Sequence, residues 1–177
     1  MYNNIDIDMT PLVSIIMGST SDLPIMEKAM KFLDEQQIPF EVNALSAHRT
    51  PTAVEEYARE AAGRGVKVII AGAGMAAALP GVIAASTTLP VIGVPIKGSV
   101  LDGVDALYSI LQMPPGIPVA TVAINGALNA AILAMQIISL SDSEIATRFA
   151  DYKDSLCKKI EKANKDLKEV KYKYKTN

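Results

Sequence analysis

The chain of 177 residues has no tryptophan, one histidine and one cysteine, and aromatic residues make up only 5% of it. Half of its residues are nonetheless hydrophobic, so the core must be filled by Ala, Val, Ile, Leu and Met, with helices packed closely through small side chains. The lone Cys157 excludes an internal disulfide and fits a reducing, cytoplasmic setting. There is no excess of charge: a net −2 creates no field that would draw nucleic acid or an anionic membrane to the whole molecule, and neither is expected as a partner. There is also no uninterrupted apolar run long enough to span a bilayer, because the stretch Ala71 to Ile96 is broken by Gly and Pro. Met1 to Thr10, which carries Asp6 and Asp8 and lacks a basic start, does not read as a signal peptide. A soluble protein of one domain, residues 1–177, is expected, with an α/β core over about 11–140 and a C-terminal helix and tail over about 143–177.

Short β-rich runs alternate with helical patterns. Leu12–Met17, Val66–Ala71, Val91–Val94 and Val119–Ile124 are short and nearly continuous in apolar residues, as buried parallel strands are. Phe40–Leu45 alternates Glu41 and Asn43 with apolar residues and reads as an edge strand. Helices are predicted over Leu23–Gln36, Thr50–Arg64, Met75–Ala85, Val104–Gln112 and Ala127–Leu140. Parallel strands need such crossovers, and strands without polar alternation need helices on both faces. The expected fold is therefore α/β, a three-layer α/β/α sandwich of flavodoxin-like form around a parallel five-stranded sheet, with an additional C-terminal helix. That last helix, from about Ser143, carries Ile145, Phe149, Tyr152, Leu156 and Ile160 in an apolar stripe that packs either on its own domain or on a neighbouring subunit. From Lys158 the chain is lysine-rich and reads as a solvated helix fraying into a tail.

Three strand-to-helix junctions carry chemistry. Ser46-Ala47-His48-Arg49-Thr50-Pro51 holds the single histidine beside an arginine, a near-neutral proton carrier next to a guanidinium; the alternative is an ordinary loop histidine. Gly18-Ser19-Thr20-Ser21-Asp22 opens the first helix. Its hydroxyls and amides suit a phosphate, with Asp22 accepting from ribose hydroxyls, although an ordinary helix cap uses the same residues. Arg49 should reach the same cradle from a nearby strand end and add a fork for the phosphate. Ala71-Gly72-Ala73-Gly74-Met75-Ala76-Ala77-Ala78-Leu79-Pro80-Gly81 is almost free of side chains. It lacks the Lys and Ser/Thr of a triphosphate loop, and fits either close helix-to-sheet packing or a compact cavity lined by amides.

These three segments together with Gln112-Met113-Pro114 resemble, in order and spacing, the motifs of the N5-carboxyaminoimidazole ribonucleotide mutases of purine biosynthesis, over about Val13 to Ile138. The resemblance implies conversion of N5-carboxyaminoimidazole ribonucleotide to 5-amino-1-(5-phosphoribosyl)imidazole-4-carboxylate by an isomerase that needs no ATP, metal or organic cofactor. It also implies a homo-octamer with sites near subunit contacts. Carried onto this chain, it makes His48 the general acid and base, puts the phosphate on Ser19, Ser21 and Arg49, and puts the ribose on Asp22. Ser46, Gly74, Ala76, Ala77 and Leu79 complete the substrate-binding set, the amides around Gly74 to Ala77 facing the carboxylate or trapped CO2. One position departs: where many family members have a second histidine, this chain has Ala78. A related branch carboxylates aminoimidazole ribonucleotide with free CO2, and Arg49 rather than Lys after the histidine looks like the mutase branch. A binding module for a mononucleotide remains the other alternative; with a flavin it would need aromatic stacking groups that these loops lack.

Overall fold

The computed structural model describes residues 9–177, so most of the N-terminal segment compared above with a signal peptide lies outside them. These residues form two compact units, one through Ile138 and the other from Ser139. In the first, strands β1 (Val13–Met17), β2 (Phe40–Ala44), β3 (Val68–Gly74), β4 (Val91–Ile96) and β5 (Ala120–Thr121) make a parallel sheet in the order β2-β1-β3-β4-β5. That is the flavodoxin-like order. Helices α1 (Leu23–Glu35), α2 (Pro51–Glu60), α3 (Leu79–Ser86), α4 (Val104–Leu111) and α5 (Ala127–Ser139) connect the strands and follow the last of them.

Every residue of β1 and β4 is buried, as strands covered on both faces require. On one face Ile16, Ile69, Ala71 and Val91 pack with Val54 and Ala58 of α2, Leu79 and Ile83 of α3, and Ala106 and Ile110 of α4. On the other, α1 comes so close that a methyl group at Gly72 would stand 2.5 Å from Met26 Sδ. The small residues Ala127, Ala130, Ala131 and Ala134 are four of the six buried positions of α5, the close packing that a ring-poor composition implies.

Several elements differ from the sequence expectation. The run Val119–Ile124 was expected to be a buried strand, yet β5 has two residues and Ala120 is exposed. The β4 residues facing β5 are Gly93 and Pro95, whose carbonyls accept from Val122 and Asn125 at 3.1 and 2.8 Å. Proline has no N–H to return, so the ladder lapses beyond Thr121. The third strand runs to Gly74 rather than Ala71, because the Ala and Gly residues stay in register with β4 as far as the pair Gly74 and Ile96. The third helix starts at Leu79 rather than Met75, since Met75 and Ala77 have positive φ (56° and 38°) and Pro80 sits in the first turn. Helix α2 is also shorter than Thr50–Arg64, ending at Glu60 in turns that lead to Gly65.

The second unit is built on one long helix, α6 (Ser143–Lys168). Asp142 caps it, accepting from the N–H groups of Glu144 and Ile145 at 3.0 and 2.9 Å.

Candidate active site

In the order β2-β1-β3 the chain leaves β1 toward one edge and returns on the other side of it. The loops at the carboxyl ends of β1 and β3 therefore diverge and open a crevice, the usual ligand position in such a sheet. Hydrogen bonds that continue the ladder pin these loops: Gly18 N–H to the Gly72 carbonyl at 3.3 Å and Leu45 N–H to the Met17 carbonyl at 2.9 Å. A cleft of about 870 Å³ occupies the crevice. It brings together the catalytic and substrate-binding candidates read from the sequence: Ser19, Ser21 and Asp22 after β1, Ser46, His48 and Arg49 after β2, Gly74 at the end of β3, and Ala76, Ala77 and Leu79 after it.

The β1 loop makes a single 3-10 turn, Thr20–Asp22, before α1; Ser19 Oγ caps it by accepting from Ser21 N–H at 3.3 Å. Asp22 precedes α1 without capping it, so its carboxylate is left to the cleft. Burial pushes its pKa above the ordinary value, against a hydrogen bond from Ser21 and the charge of Arg49.

The β2 loop is a compact turn tied at its ends. Thr50 N–H donates to the Ser46 carbonyl at 2.8 Å, Ser46 N–H donates to Thr50 Oγ1 at 3.0 Å, and Pro51 then starts α2. His48 stands exposed at the mouth of the cleft. Arg49 Nη2 donates to the Gly18 carbonyl at 2.7 Å and Nε to Ser46 Oγ at 3.2 Å, so the guanidinium bridges the β1 and β2 loops and sets a cation beside the serine cradle.

Behind this turn, a half-buried polar cluster fastens α2 to the sheet edge. Tyr57 of α2 donates to Glu41 Oε1 and accepts from Asn43 Nδ2 at 2.8 Å; with its proton so engaged, Ser14 Oγ at 2.9 Å donates to it. Arg64 donates to Glu41 at 2.9 Å and lies 4.1 Å from the centre of the Tyr57 ring. Burial raises the Glu41 pKa, but hydrogen bonds from Arg64 and Tyr57 outweigh it and hold the carboxyl below its ordinary range. Burial and the neighbouring carboxylate raise the Tyr57 hydroxyl in turn.

The β3 loop supplies a wall without polar side chains. Its turn closes with Ala77 N–H on the Gly74 carbonyl at 3.0 Å, and the Met75 and Ala76 amides lie within that turn. Left-handed backbone at Met75 and Ala77 is strain of the kind that accumulates at ligand sites. Ala78 also lines this wall. No aromatic side chain is among the residues that line the cleft. The Gln112-Met113-Pro114 motif is not among them either; a methyl group at Gly81 in α3 would stand 3.2 Å from the Met113 side chain.

A fourth wall was not found from the sequence. Ile96 at the end of β4, Lys97, Gly98, Ser99 and Val100 after it, and Asp105 of α4 line the cleft opposite the β1 loop. The signal that would have found it is positional, since the segment leaves the carboxyl end of a strand as the other three do. Among the described residues no group of three His, Cys, Asp or Glu side chains is gathered for a metal ion, and no helix is long and apolar enough to cross a membrane. The arrangement offers one imidazole for proton transfer, a cation with hydroxyls for an oxyanion, and an apolar, amide-lined wall.

Comparison with known proteins adds four likenesses. The sequence profile described as AIR carboxylase matches residues 12–159. The N5-carboxyaminoimidazole ribonucleotide mutase of Pyrococcus horikoshii is 54% identical over 160 residues, covering 90% of each chain. The phosphoribosylaminoimidazole carboxylase of Saccharomyces cerevisiae is 58% identical over 142 residues, 80% of this chain but only 25% of that protein. The crystal structure of Treponema denticola PurE superposes with a TM-score of 0.82 at 36% identity, covering 89% of this chain and 99% of that one.

Proposed function

The chain belongs to the AIR carboxylase family, and on that premise we propose that it is an N5-carboxyaminoimidazole ribonucleotide mutase, an isomerase of purine biosynthesis, with His48 as its proton carrier. The observation that carries the reading is the convergence of His48, the Arg49 bridge, the Ser19–Asp22 cradle and the amide wall at Gly74–Ala77 on one cleft at the switch point of the sheet.

The phosphate is taken by Ser19, Ser21 and Arg49, and Asp22 accepts from the ribose hydroxyls. His48 in its cationic form donates a proton to the carbamate nitrogen as the N–C bond breaks and CO2 leaves. The CO2 stays against the Ala/Gly wall, with the amides of Met75 and Ala76 as donors. C4 of the imidazole attacks it, forming the new C–C bond, and neutral His48 removes the C4 proton to regain its starting state. One imidazole suffices for both transfers, consistent with Ala78 standing where a second histidine occurs in relatives. Retention of CO2 is the demand on the pocket, and a wall without polar side chains keeps competing water away from it.

A cytoplasmic location and a homo-octamer with sites near subunit contacts complete the proposal. The exposed apolar side chains Val100, Leu101, Val104, Tyr108 and Leu111, on the β4 loop and α4 beside the cleft, support association. Light scattering on the purified protein tests it, with a mass of about eight times the 18.8 kDa chain expected.

Activity is tested by following imidazole-4-carboxylate formation in the ultraviolet from fresh N5-carboxyaminoimidazole ribonucleotide, without bicarbonate or ATP, for wild type and His48→Asn. Turnover by wild type alone is expected. Turnover only of aminoimidazole ribonucleotide with CO2 would replace the mutase by the carboxylase, and undiminished turnover by His48→Asn would remove the proton carrier.

A further inference from the structure

Strand β4 stays buried through Ile96, which pairs with Gly74, and the next residue, Lys97, leaves the sheet at the same rim. With neighbouring strands about 5 Å apart, Lys97 emerges about 5 Å from the Gly74 turn and about 10 Å from the β1 loop, two strands away. Its backbone is held on two sides. Lys97 N–H donates to Asn125 Oδ1 at 2.9 Å, and Asn125 N–H is itself fixed on the Pro95 carbonyl at 2.8 Å. The chain then turns back through two consecutive left-handed residues, Asp102 (φ 53°) and Gly103 (φ 89°). A side chain at Gly103 would stand 3.0 Å from Lys97 Cα. This return brings Asp102 Oδ1 to 2.8 Å from Lys97 Nζ. At 56% and 76% side-chain exposure such a pair adds little stability, and it leaves the ammonium group of a cleft-lining residue accessible and weakly held.

Among the described residues lining the cleft, Arg49 and Lys97 are the permanent cations, and they leave the sheet at opposite ends of it. Arg49 belongs to the serine cradle. We propose that Lys97 is the contact that selects the carboxylated ligand, its ammonium receiving the carboxylate while Arg49 receives the phosphate at the other end. The inference rests on the ribonucleotide reading of the cleft and deepens it. A phosphoribosyl imidazole carries its two anionic groups at opposite ends, with ribose and ring between them, which matches the spacing of about 10 Å between the two rims. The Met75 and Ala76 amides lie beside Lys97 and share the carboxylate with it. Asp102 is the counter-ion when the cleft is empty, and exposure makes it easy to displace.

The test is calorimetric titration of the full chain with two ligands that differ only in the group at issue: 5-amino-1-(5-phosphoribosyl)imidazole-4-carboxylate and aminoimidazole ribonucleotide. Lys97→Met is expected to weaken the carboxylated ligand about tenfold, the usual consequence of losing one charged hydrogen bond, and to leave the uncarboxylated one unchanged. Lys97→Arg retains most of the affinity, and Asp102→Asn retains or improves it. Equal weakening of both ligands by Lys97→Met would overturn the assignment by making the effect one of loop structure or phosphate binding. Weakening of neither would overturn it too, leaving the ribonucleotide reading intact provided that wild type binds both. Wild type that binds neither ribonucleotide refutes that reading, and this inference with it.

Discussion

Replacing Arg49 by methionine separates the loop contacts its guanidinium makes from the phosphate contact proposed for it. In the folded protein it makes two hydrogen bonds, to the Gly18 carbonyl at 2.7 Å and to Ser46 Oγ at 3.2 Å, and it is exposed. Exposed polar contacts of this kind contribute about 1 kcal/mol together, which for a chain of this size lowers Tm by roughly 2–4 °C. The loop is also tied by the Ser46–Thr50 hydrogen bonds, none of which involves the Arg49 side chain, so the turn should keep its shape. Binding is a different matter. Loss of a charged fork from a phosphate costs about 1.5–3 kcal/mol, or roughly 10- to 150-fold in affinity. The phosphate is unchanged by the reaction, so the contact is uniform from ground state to transition state and its loss belongs in KM rather than kcat. Ultraviolet turnover assays over a range of substrate, with thermal melts of the same preparations, measure both quantities. A KM that does not move would refute the phosphate assignment. A Tm fall beyond about 10 °C would show instead that Arg49 is a structural strut between the two loops.

Glu41→Gln tests the cluster behind the β2 turn. Because the Glu41 pKa is lower in the folded state than its ordinary 4.5, the ionised carboxylate contributes stability above pH about 4.5 that disappears as pH falls through the folded value. The variant should be less stable by about 1–2 kcal/mol at pH 7, with a gap that narrows on acidification; denaturant melts at pH 7 and pH 4 that show a constant or widening gap would contradict this. Gly93→Ala puts a methyl group 2.4 Å from Ile110 Cγ2 in the packed layer between β4 and α4, and should cost about 1–3 kcal/mol in the same melts; an unchanged midpoint would mean the helix moves freely. Introducing Ala78→His into the His48→Asn protein should not restore turnover; recovery of activity would show that a histidine at the β3 loop can carry the proton by itself.

What the sequence makes legible depends on whether a physical rule acts locally. Strand β4 is apolar throughout and β1 is apolar but for Ser14, because both faces are covered, and β2 alternates because it is an edge strand, so composition and period alone separate them. The end of β5 is set by Pro95 in a different strand, a cause that no window over Val119–Ile124 contains. The start of α3 was hidden for a related reason: Met75 and Ala77 are held in left-handed conformations that neither residue prefers, so local propensity extends the helix across a turn that the surrounding structure imposes. The same distinction runs through the cleft. The β1, β2 and β3 loops announce themselves by residue type, through serines with an aspartate, a histidine with an arginine, and a stretch with almost no side chains. Lys97 sits in an ordinary-looking Lys97-Gly98-Ser99-Val100 segment, and a lone lysine after a strand is most often a solvated charge. Only the fold, by ending β4 in register with Gly74 and bringing Asn125, Asp102 and Gly103 back against it from elsewhere in the chain, turns that lysine into part of a site. Residue type thus points to the proposed proton carrier and phosphate cradle, whereas the proposed discrimination between carboxylated and uncarboxylated ligands depends on contacts that exist only after the β4 loop has folded back.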